Sequence, residues 1–272
     1  MGQYISSLSV AKGLTPSINN IIEAVSTLNS IKDYVLCGGT SLAIQLGHRQ
    51  SEDLDFMAWR VSKDRKPEVD WPTISKELEE KVGHIDNMDL LGFDQVIFLV
   101  RGVKISFYVS DKLAPAMTTL VYLGNIKLAS IEAILAMKLE VMLRRMKFRD
   151  YYDVYSIIKN GGDITLGIDS AIKYSQFRLK RKSIVTMLLS GQFSKDTNFG
   201  QLNPVYDVTE EQMRNFLLLK IRKQEYKHYY NMLSSQSWTE ASGWHITVKN
   251  LYLGLRVFQP DMASLGTDTL CG

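Results

Sequence analysis

Two glycines between a short apolar run and a helical pattern constrain the first half of this 272-residue chain more than any other feature. Residues 34–37 are apolar and predict a short strand, which Gly38 and Gly39 stop. Residues 40–46 then follow a helical pattern that Gly47 ends. Two glycines allow a ligand to approach the backbone closely, and the free N–H groups at a helix start attract anions such as phosphate. By itself, however, a Gly-Gly turn is more often only a turn.

A pair of aspartates follows in residues 53–57, which begin by alternating polar and apolar side chains and predict a strand. Because residues i and i+2 of a strand point to the same face, the carboxylates of Asp53 and Asp55 converge. Their repulsion is costly unless a cation lies between them, and such oxygen ligands suit Mg²⁺ or Mn²⁺ with substrate phosphates completing the shell. An isolated pair of this kind more often faces solvent, but its coupling to a phosphate-binding turn favours a metal site.

A third polar cluster begins in a helical stretch, where Lys138 lies inside an apolar row formed by Ile131, Ile134, Leu135 and Met142. A lysine in such a row either extends its ammonium group to solvent or presents a point charge to a bound phosphate. Arg149, Asp150 and Asp153 then place a cation and two carboxylates within about one helical turn, for which local ion pairing is the alternative explanation.

The remaining pattern predicts an α+β fold that is followed by helices. Further predicted elements are a helix over 15–30 that Thr15 caps, a helix after Trp71-Pro72, a hairpin of 94–100 with 103–109, and a last strand over 122–129. From Ser130 the pattern is mostly helical. We therefore predict a boundary near residue 126, with an α/β domain over 1–126 and a helical bundle domain over 127–272.

Composition excludes several classes of protein. The chain is 45% hydrophobic and 22% charged, as in ordinary soluble globular proteins, and no apolar run approaches the about 18 residues of a membrane span. Cys37 and Cys271 are too few for a disulfide scaffold or a four-thiolate zinc site, which indicates a reducing compartment, and we expect a cytoplasmic protein. The histidines show no metal-ligand spacing: His48, His84, His228 and His245.

Positive charge is unevenly distributed along the chain. Residues 138–182 contain 11 Lys or Arg and 5 Asp or Glu, a net charge of +6, whereas the whole chain has a formal charge of +3. A basic stretch of this kind beside a phosphate site can steer a polyanionic acceptor such as RNA. A solvated basic surface is the alternative explanation.

Taken together, these residues resemble the AbiEii family of nucleotidyltransferases, the toxin halves of abortive-infection toxin–antitoxin pairs in the DNA polymerase β-like superfamily. Order, composition and spacing agree in three stretches, 38–49, 51–56 and 135–154. The resemblance implies a polymerase β-like core with a mixed sheet and flanking helices. It also implies metal-dependent transfer of a nucleoside monophosphate (NMP) from a nucleoside triphosphate (NTP) to an RNA such as tRNA or to a protein hydroxyl, and a cognate antitoxin.

The resemblance further implies a role for individual residues. Asp53 and Asp55 would bind Mg²⁺ or Mn²⁺ and, with Lys138 and Asp150, form the catalytic set, with Asp150 as the later catalytic or base-like aspartate. The nucleotide would be held by Gly38, Gly39, Thr40, Ser51, Lys138, Arg149 and Asp153.

One departure concerns the third carboxylate that polymerase β-like enzymes usually carry on a later strand. Ser106 occupies the position in the strand 103–109 where this acid is expected, and Asp94 and Asp111 only flank the strands. Either Asp150 supplies the missing function, or activity is weakened or lost. The alternatives to an enzyme are thus a degenerate nucleotide- or RNA-binding protein of the same fold, or a protein-interaction module.

Overall fold

Within the described residues, seven strands form one mixed sheet. The computed structural model describes residues 13–60, 68–176, 178–190, 192–194 and 196–235. The strands are β1 (Val35–Leu36), β2 (Asp53–Trp59), β3 (Ile85–Leu90), β4 (Gln95–Val100), β5 (Val103–Ser110), β6 (Thr119–Leu123) and β7 (Ile126–Ala129). Their order across the sheet is β3-β4-β5-β2-β1-β7-β6. The pairs β1–β7 and β2–β5 are parallel and the other neighbours are antiparallel.

Helices pack on both faces of this sheet, which confirms the predicted α+β class. They are α1 (Pro16–Asn19), α2 (Ile22–Ser26), α3 (Gly38–Leu46), α4 (Trp71–Lys81), α5 (Ile131–Met142), α6 (Phe148–Lys159), α7 (Ile164–Tyr174), α8 (Arg181–Ser190) and α9 (Glu210–Ser235), with a 3-10 helix at Phe199–Leu202. No helix in the described part of the chain is long and apolar enough to cross a membrane.

Alternation along the central strands divides the core into two apolar clusters, one on each face of the sheet. Leu36, Leu54 and Phe56 pack with α1, α2 and α4 in one cluster. Val35 and Met57 pack with α3 and α5 to α8 in the other. Asp53 and Asp55 share the strand face of Met57, so their carboxylates lie on the side of the sheet that α5 and α6 cover.

The elements around the two glycines form largely as predicted. The strand over 34–37 is present as β1, and Gly47 ends α3 with a left-handed φ of 60°. One detail differs, because α3 already begins at Gly38 and the glycines form its first turn instead of preceding it. Both strands of the predicted hairpin, β4 and β5, are confirmed.

Two predicted elements are wrong in extent. The helix predicted over 15–30 is broken into α1 and α2 at Asn20, and the Thr15 side chain caps neither. At the break, the Ile21 N–H bonds the carbonyl of Ile18 at 3.0 Å, three residues back and not four, so the helical ladder is interrupted. The strand predicted over 122–129 is the hairpin of β6 and β7, which turns at Gly124 with a φ of 50°.

The domain prediction can be compared with the described residues only in part. Contacts group the chain up to Tyr229 into one unit and the chain from Tyr230 into a second, whose described part is the end of α9. The boundary near residue 126, with a separate bundle over 127–272, stays a prediction. Cys271 and His245 lie outside the described residues, as does the side chain of His228.

Candidate active site

The two aspartates of β2 lie in the middle of the sheet. Parallel pairing with β5 sets Asp53 beside Lys104 and Asp55 beside Ser106. Ser106 Oγ donates a hydrogen bond to Asp55 Oδ1 at 2.6 Å, so the residue at the expected place of a third acid orients the second one. Burial raises the pKa of Asp53, and the charge of Asp55 adds to this effect while Lys104 opposes it. The ionised pair is therefore unfavourable without additional positive charge.

Both glycines at the start of α3 are closely approached by side chains. Gly38 has a left-handed φ of 66°, and a Cβ atom there would lie 2.9 Å from Asp55 Oδ2. A Cβ atom on Gly39 would lie 2.5 Å from Arg49 Nη2. The Asp55 carboxylate and the Arg49 guanidinium thus lie beside these glycines, where the family resemblance implies nucleotide phosphates. The first N–H groups of α3 still have no acceptor within the helix.

Thr40 and Ser51 tie the start of α3 to the beginning of β2. Thr40 Oγ1 lies 2.8 Å from Ser51 Oγ and also contacts the backbone carbonyl oxygen of Asp53. A carbonyl oxygen only accepts, so the Thr40 hydroxyl donates to it and the Ser51 hydroxyl donates to Thr40. Both side chains are buried. Their donors are thus used in fixing the backbone that carries Asp53.

A buried ionic network centres on Asp153 of α6. Its Oδ1 accepts from His48 Nε2 at 2.8 Å and from Arg49 Nε at 2.7 Å. Its Oδ2 accepts from Arg49 Nη2 at 2.9 Å and pairs with Lys138 Nζ at 2.7 Å. Lys138 Nζ also donates to Asp150 Oδ1 at 2.6 Å. The side chains of Asp150 and Asp153 have no exposed surface, and that of Lys138 is 8% exposed.

The charges in this network stabilise one another. Burial alone would raise the pKa of Asp153, but Arg49, Lys138 and the hydrogen bond from His48 hold that pKa well below its usual range. Burial alone would lower the pKa of Lys138, yet Asp153 and Asp150 raise it. Burial lowers the pKa of His48, so its ring is neutral at pH 7 and donates through Nε2. His48 Nδ1 is buried without a hydrogen-bond partner among the residues described.

Arginines on α6 and on the loop before it surround the network. Arg149 is half-buried, contacts the Asp196 carboxylate through Nε and lies 3.4 Å from Glu52 Oε1 through Nη1. Arg145 Nε lies 3.3 Å from Asp150 Oδ2. These contacts bring the predicted residues together in two groups: one on β2 and at the start of α3, the other between α5 and α6. Arg49 joins them, since it touches both Gly39 and Asp153.

Two carboxylates are the donor set for a divalent metal ion. No group of three or more His, Cys, Asp or Glu side chains that could hold a metal occurs within the described ranges. Mg²⁺ in nucleotide enzymes is typically bound by one or two carboxylates plus substrate phosphates and water. Asp53 and Asp55 share one strand face, and Ser106 fixes one of the carboxylates. The residues therefore fit an ion that is completed by the nucleotide, and they do not form a closed protein cage.

His48 and Arg49 are the residues that sequence reasoning missed. They directly follow Gly47, but their partner Asp153 lies 104 or more residues further along the chain. No local pattern pairs positions so distant. The only available signal was the position of an arginine between the glycine turn and the aspartate pair.

The chain is similar in sequence to known proteins. A family model described as "Nucleotidyl transferase AbiEii toxin, Type IV TA system" matches residues 21–241. An uncharacterized protein of Aquifex aeolicus (strain VF5) is 26% identical over 192 residues, which cover 70% of this chain and 89% of that protein.

Two solved structures are also similar. MenT4, a nucleotidyltransferase toxin from Mycobacterium tuberculosis H37Rv, has a TM-score of 0.48 and 18% identity, over 74% of this chain and 83% of that chain. JHP933 from Helicobacter pylori has a TM-score of 0.46 and 16% identity, over 82% of this chain and 100% of that chain. The family assignment rests on the family model, which covers most of the chain. This protein belongs to the AbiEii family of nucleotidyltransferase toxins.

Proposed function

We propose that this nucleotidyltransferase moves an NMP from an NTP to an acceptor hydroxyl with release of pyrophosphate, and that it requires Mg²⁺ or Mn²⁺. The observation that carries the proposal is the pair of half-buried carboxylates on one face of β2, directly beside the start of α3. Phosphoryl transfer depends on positioning and on stabilisation of phosphate charge, which a metal ion on these carboxylates and the N–H groups at the start of α3 would supply.

Asp53 and Asp55 are the residues that would hold the metal ion. When bound, the ion would supply positive charge that lowers the negative charge at the reacting phosphate. Ser106 keeps Asp55 oriented through its 2.6 Å hydrogen bond. Thr40 and Ser51 hold the backbone of Asp53 against α3. The chain thus contributes two carboxylates, of which Asp55 is oriented by its side-chain hydrogen bond and Asp53 is placed by its backbone.

The nucleotide phosphates are bound, in this proposal, at the start of α3 and by Lys138. Backbone N–H groups of Gly38, Gly39 and Thr40 face an anion at the positive end of the helix dipole. Lys138 provides a full positive charge from α5. Arg149 lies close enough to Asp53 for its charge to lower the pKa of that carboxyl, and we assign it to the nucleotide as well.

Two residues receive a different role from the one that the family resemblance implied. Asp150 and Asp153 are completely buried and pair with Lys138. A carboxylate without exposed surface does not reach an acceptor hydroxyl or a nucleotide. In our proposal, Asp150 orients Lys138 instead of removing a proton from the acceptor.

The acceptor is proposed to be a polyanion such as an RNA end, tRNA included, with a protein hydroxyl as the second possibility. Much of the basic stretch is engaged in ion pairs: Arg144 bonds Glu140, and Arg149 bonds Asp196. Arg144 and Arg145 nevertheless have side chains that are 65% and 53% exposed, at the end of α5 beside the network. We propose that this edge attracts the acceptor in the cytoplasm, and that a cognate antitoxin restrains the reaction.

The test is incubation of the purified chain with each labelled NTP, Mg²⁺ or Mn²⁺, and total RNA or cell lysate. We expect label on RNA or protein with wild type and with Asp86→Ala, which removes an exposed carboxylate from β3. Asp53→Ala should abolish labelling. Transfer that persists in Asp53→Ala, or no transfer to any acceptor, contradicts the proposal. Nucleotide binding without transfer supports the alternative that Ser106 favours, a non-catalytic nucleotide- or RNA-binding protein of the same fold.

A further inference from the structure

We propose that Arg49 and Asp153 form a positioning unit that directs the Lys138 ammonium group toward the nucleotide phosphates. The inference rests on the proposed function and adds Arg49 to it as a positioning residue. It also changes Asp153 from a nucleotide contact into a residue that acts only through Lys138.

Asp153 has no remaining capacity for a ligand. Its two oxygens receive four donor contacts, two from Arg49 and one each from His48 and Lys138, at 2.7 to 2.9 Å. A carboxylate offers about four acceptor positions, so all of them are occupied. The side chain is also fully buried. Asp153 therefore influences a nucleotide through its partners and not by contact.

The partner that can transmit this influence is Lys138. An ammonium group has three N–H donors, and those of Lys138 meet Asp150 Oδ1 at 2.6 Å and Asp153 Oδ2 at 2.7 Å. One donor is fixed by the hydrogen bond to Asp150 and the ion pair with Asp153 holds the ammonium group from a second side, which restricts its remaining direction. The side chain is 8% exposed, and in this proposal the third donor is the one that meets a phosphate.

Arg49 fixes Asp153 relative to the phosphate-binding end of α3. Its guanidinium binds both oxygens of Asp153, donates through Nη1 to the carbonyl of Gln50 at 2.8 Å, and packs against Gly39. This continuous path, from Gly39 through Arg49 and Asp153 to Lys138, sets the distance between the helix start and the ammonium group. A lysine at position 49 would retain the charge but not the two-pronged geometry.

Charge balance explains why both carboxylates are needed. Among the buried members, Lys138 and Arg49 carry two positive charges, Asp150 and Asp153 carry two negative charges, and His48 is neutral, while the exposed Arg145 pairs with Asp150 from outside. Burial opposes the charged form of Lys138, and the two carboxylates more than offset it, so the pKa of Lys138 stays above its ordinary value. The ammonium group is thus charged before the nucleotide arrives.

The test is a double-mutant cycle on nucleotide binding by the full chain. Calorimetry with Mg²⁺ and each of ATP, CTP, GTP and UTP identifies the tightest ligand, which is then used for all variants. Lys138→Met should weaken binding by about 10- to 100-fold, the range of a charge-assisted hydrogen bond. Asp153→Asn and Arg49→Lys should each weaken it by about 5- to 10-fold, because each loosens the ammonium group without removing it.

The decisive measurement is made in the Lys138→Met background. If Asp153 and Arg49 act only through Lys138, their substitutions should there change affinity by less than about twofold. Additive losses would overturn the inference, because they indicate direct contact or general disruption. Arg49→Lys keeps the positive charge at position 49. The comparison of Arg49→Lys with and without Lys138→Met therefore still tests the inference if Asp153→Asn does not fold.

A matched control separates positioning from stability. Tyr151→Phe removes a buried hydrogen bond from the same helix, the 2.8 Å contact of its hydroxyl with the Leu188 carbonyl. It should lower the unfolding temperature and leave nucleotide affinity unchanged; an affinity loss equal to that of Arg49→Lys would contradict a positioning role.

The two proposals fail differently. A wild-type chain that binds none of the four nucleotides overturns the proposed function and this inference with it. Binding that depends on Lys138 but shows no coupling to Arg49 or Asp153 overturns the inference alone.

Discussion

Two aspartates about one hundred residues apart show opposite electrostatic behaviour. Asp53 on β2 is half-buried beside a second carboxylate, and burial raises its pKa. Asp153 on α6 is fully buried, yet its cationic partners hold its pKa well below the usual range. The two carboxylates on β2 repel each other, and we call this region electrostatically incomplete. The Asp153 network contains its own positive charges, and we call it electrostatically complete. In the proposed function, an external cation would complete the first region, whereas the chain supplies the cations of the second.

Because of this difference, we expect the two regions to have different roles. A pair of carboxylates that repel each other is unfavourable to folding and is retained where function uses it. A saturated ionic network, by comparison, fixes geometry, and in our proposal it acts on a ligand only through Lys138. We therefore expect the β2 pair to respond to metal ions and the Asp153 network to respond to loss of any partner.

The largest expected effect on stability comes from removing Asp153, the centre of the electrostatically complete region. Asp153→Ala leaves Arg49 and Lys138 buried without their counter-charge, which typically costs about 3–5 kcal/mol of unfolding free energy. Urea unfolding measures this loss. The exposed control Asp86→Ala should change stability by less than about 0.5 kcal/mol. Equal, small effects of the two substitutions would remove the distinction between the regions.

A smaller effect is expected at the contact between α3 and the incomplete region. Gly38→Ala introduces a Cβ atom 2.9 Å from Asp55 Oδ2 at a left-handed φ of 66°. Gly47→Ala is a matched control, because its φ of 60° imposes the same backbone strain but nothing lies within 4 Å. That strain is about 1–2 kcal/mol in both. Gly38→Ala should cost more in urea unfolding, and should also reduce NMP transfer, whereas Gly47→Ala should only lower stability.

The smallest effect is a gain in stability. Asp53→Asn removes a carboxylate that burial disfavours, so the variant should be more stable than wild type in EDTA, by less than about 1 kcal/mol at this half-buried site. The sign follows from linkage. Asp53 releases its proton at lower pH in the unfolded chain than in the folded chain, so the wild type loses stability as pH rises between these two pKa values.

The two aspartates can be compared directly by varying pH in thermal unfolding. The advantage of Asp53→Asn should vanish below the ordinary aspartate pKa, where both states are protonated. Asp153 has the reverse sign, since its lowered pKa contributes stability above the ordinary value that is lost as pH falls. An Asp53→Asn variant that is less stable than wild type at pH 7 in EDTA would contradict the claim that the β2 pair is electrostatically incomplete.

The part of the site that could be predicted from sequence is the part made by local structure. Strand periodicity places Asp53 and Asp55 on one face, and the glycines predict the strand-to-helix connection of β1 and α3. The network was not predictable in the same way, because Arg49 meets Asp153 across 104 residues. Only the packing of α3 against α5 and α6 brings these side chains together.

Similar reasoning explains the errors in the fold. The helix over 15–30 satisfies apolar periodicity, but its hydrogen-bond ladder is interrupted at Ile21, whose N–H bonds the carbonyl three residues back instead of four. Strand β3 escaped prediction because its side chains after Ile85 are exposed and include Asp86, Asn87 and Asp89, which give no alternating pattern. Apolar periodicity indicates which face of an element is buried. It does not predict where the helix over 15–30 is interrupted, and it does not detect a strand such as β3 whose side chains are mostly exposed.

The most direct test of the central claim is the unfolding temperature of the wild type and of Asp55→Asn with an NTP, measured in Mg²⁺ and again in EDTA. A ligand raises the unfolding temperature by binding the folded state, so the difference between the two conditions reports the metal-dependent part of binding. We predict a clear Mg²⁺-dependent rise in wild type, a smaller but still Mg²⁺-dependent rise in Lys138→Met, and none in Asp55→Asn. A Mg²⁺-dependent rise in Asp55→Asn equal to that of wild type would contradict the claim that the β2 pair is the region completed by a cation.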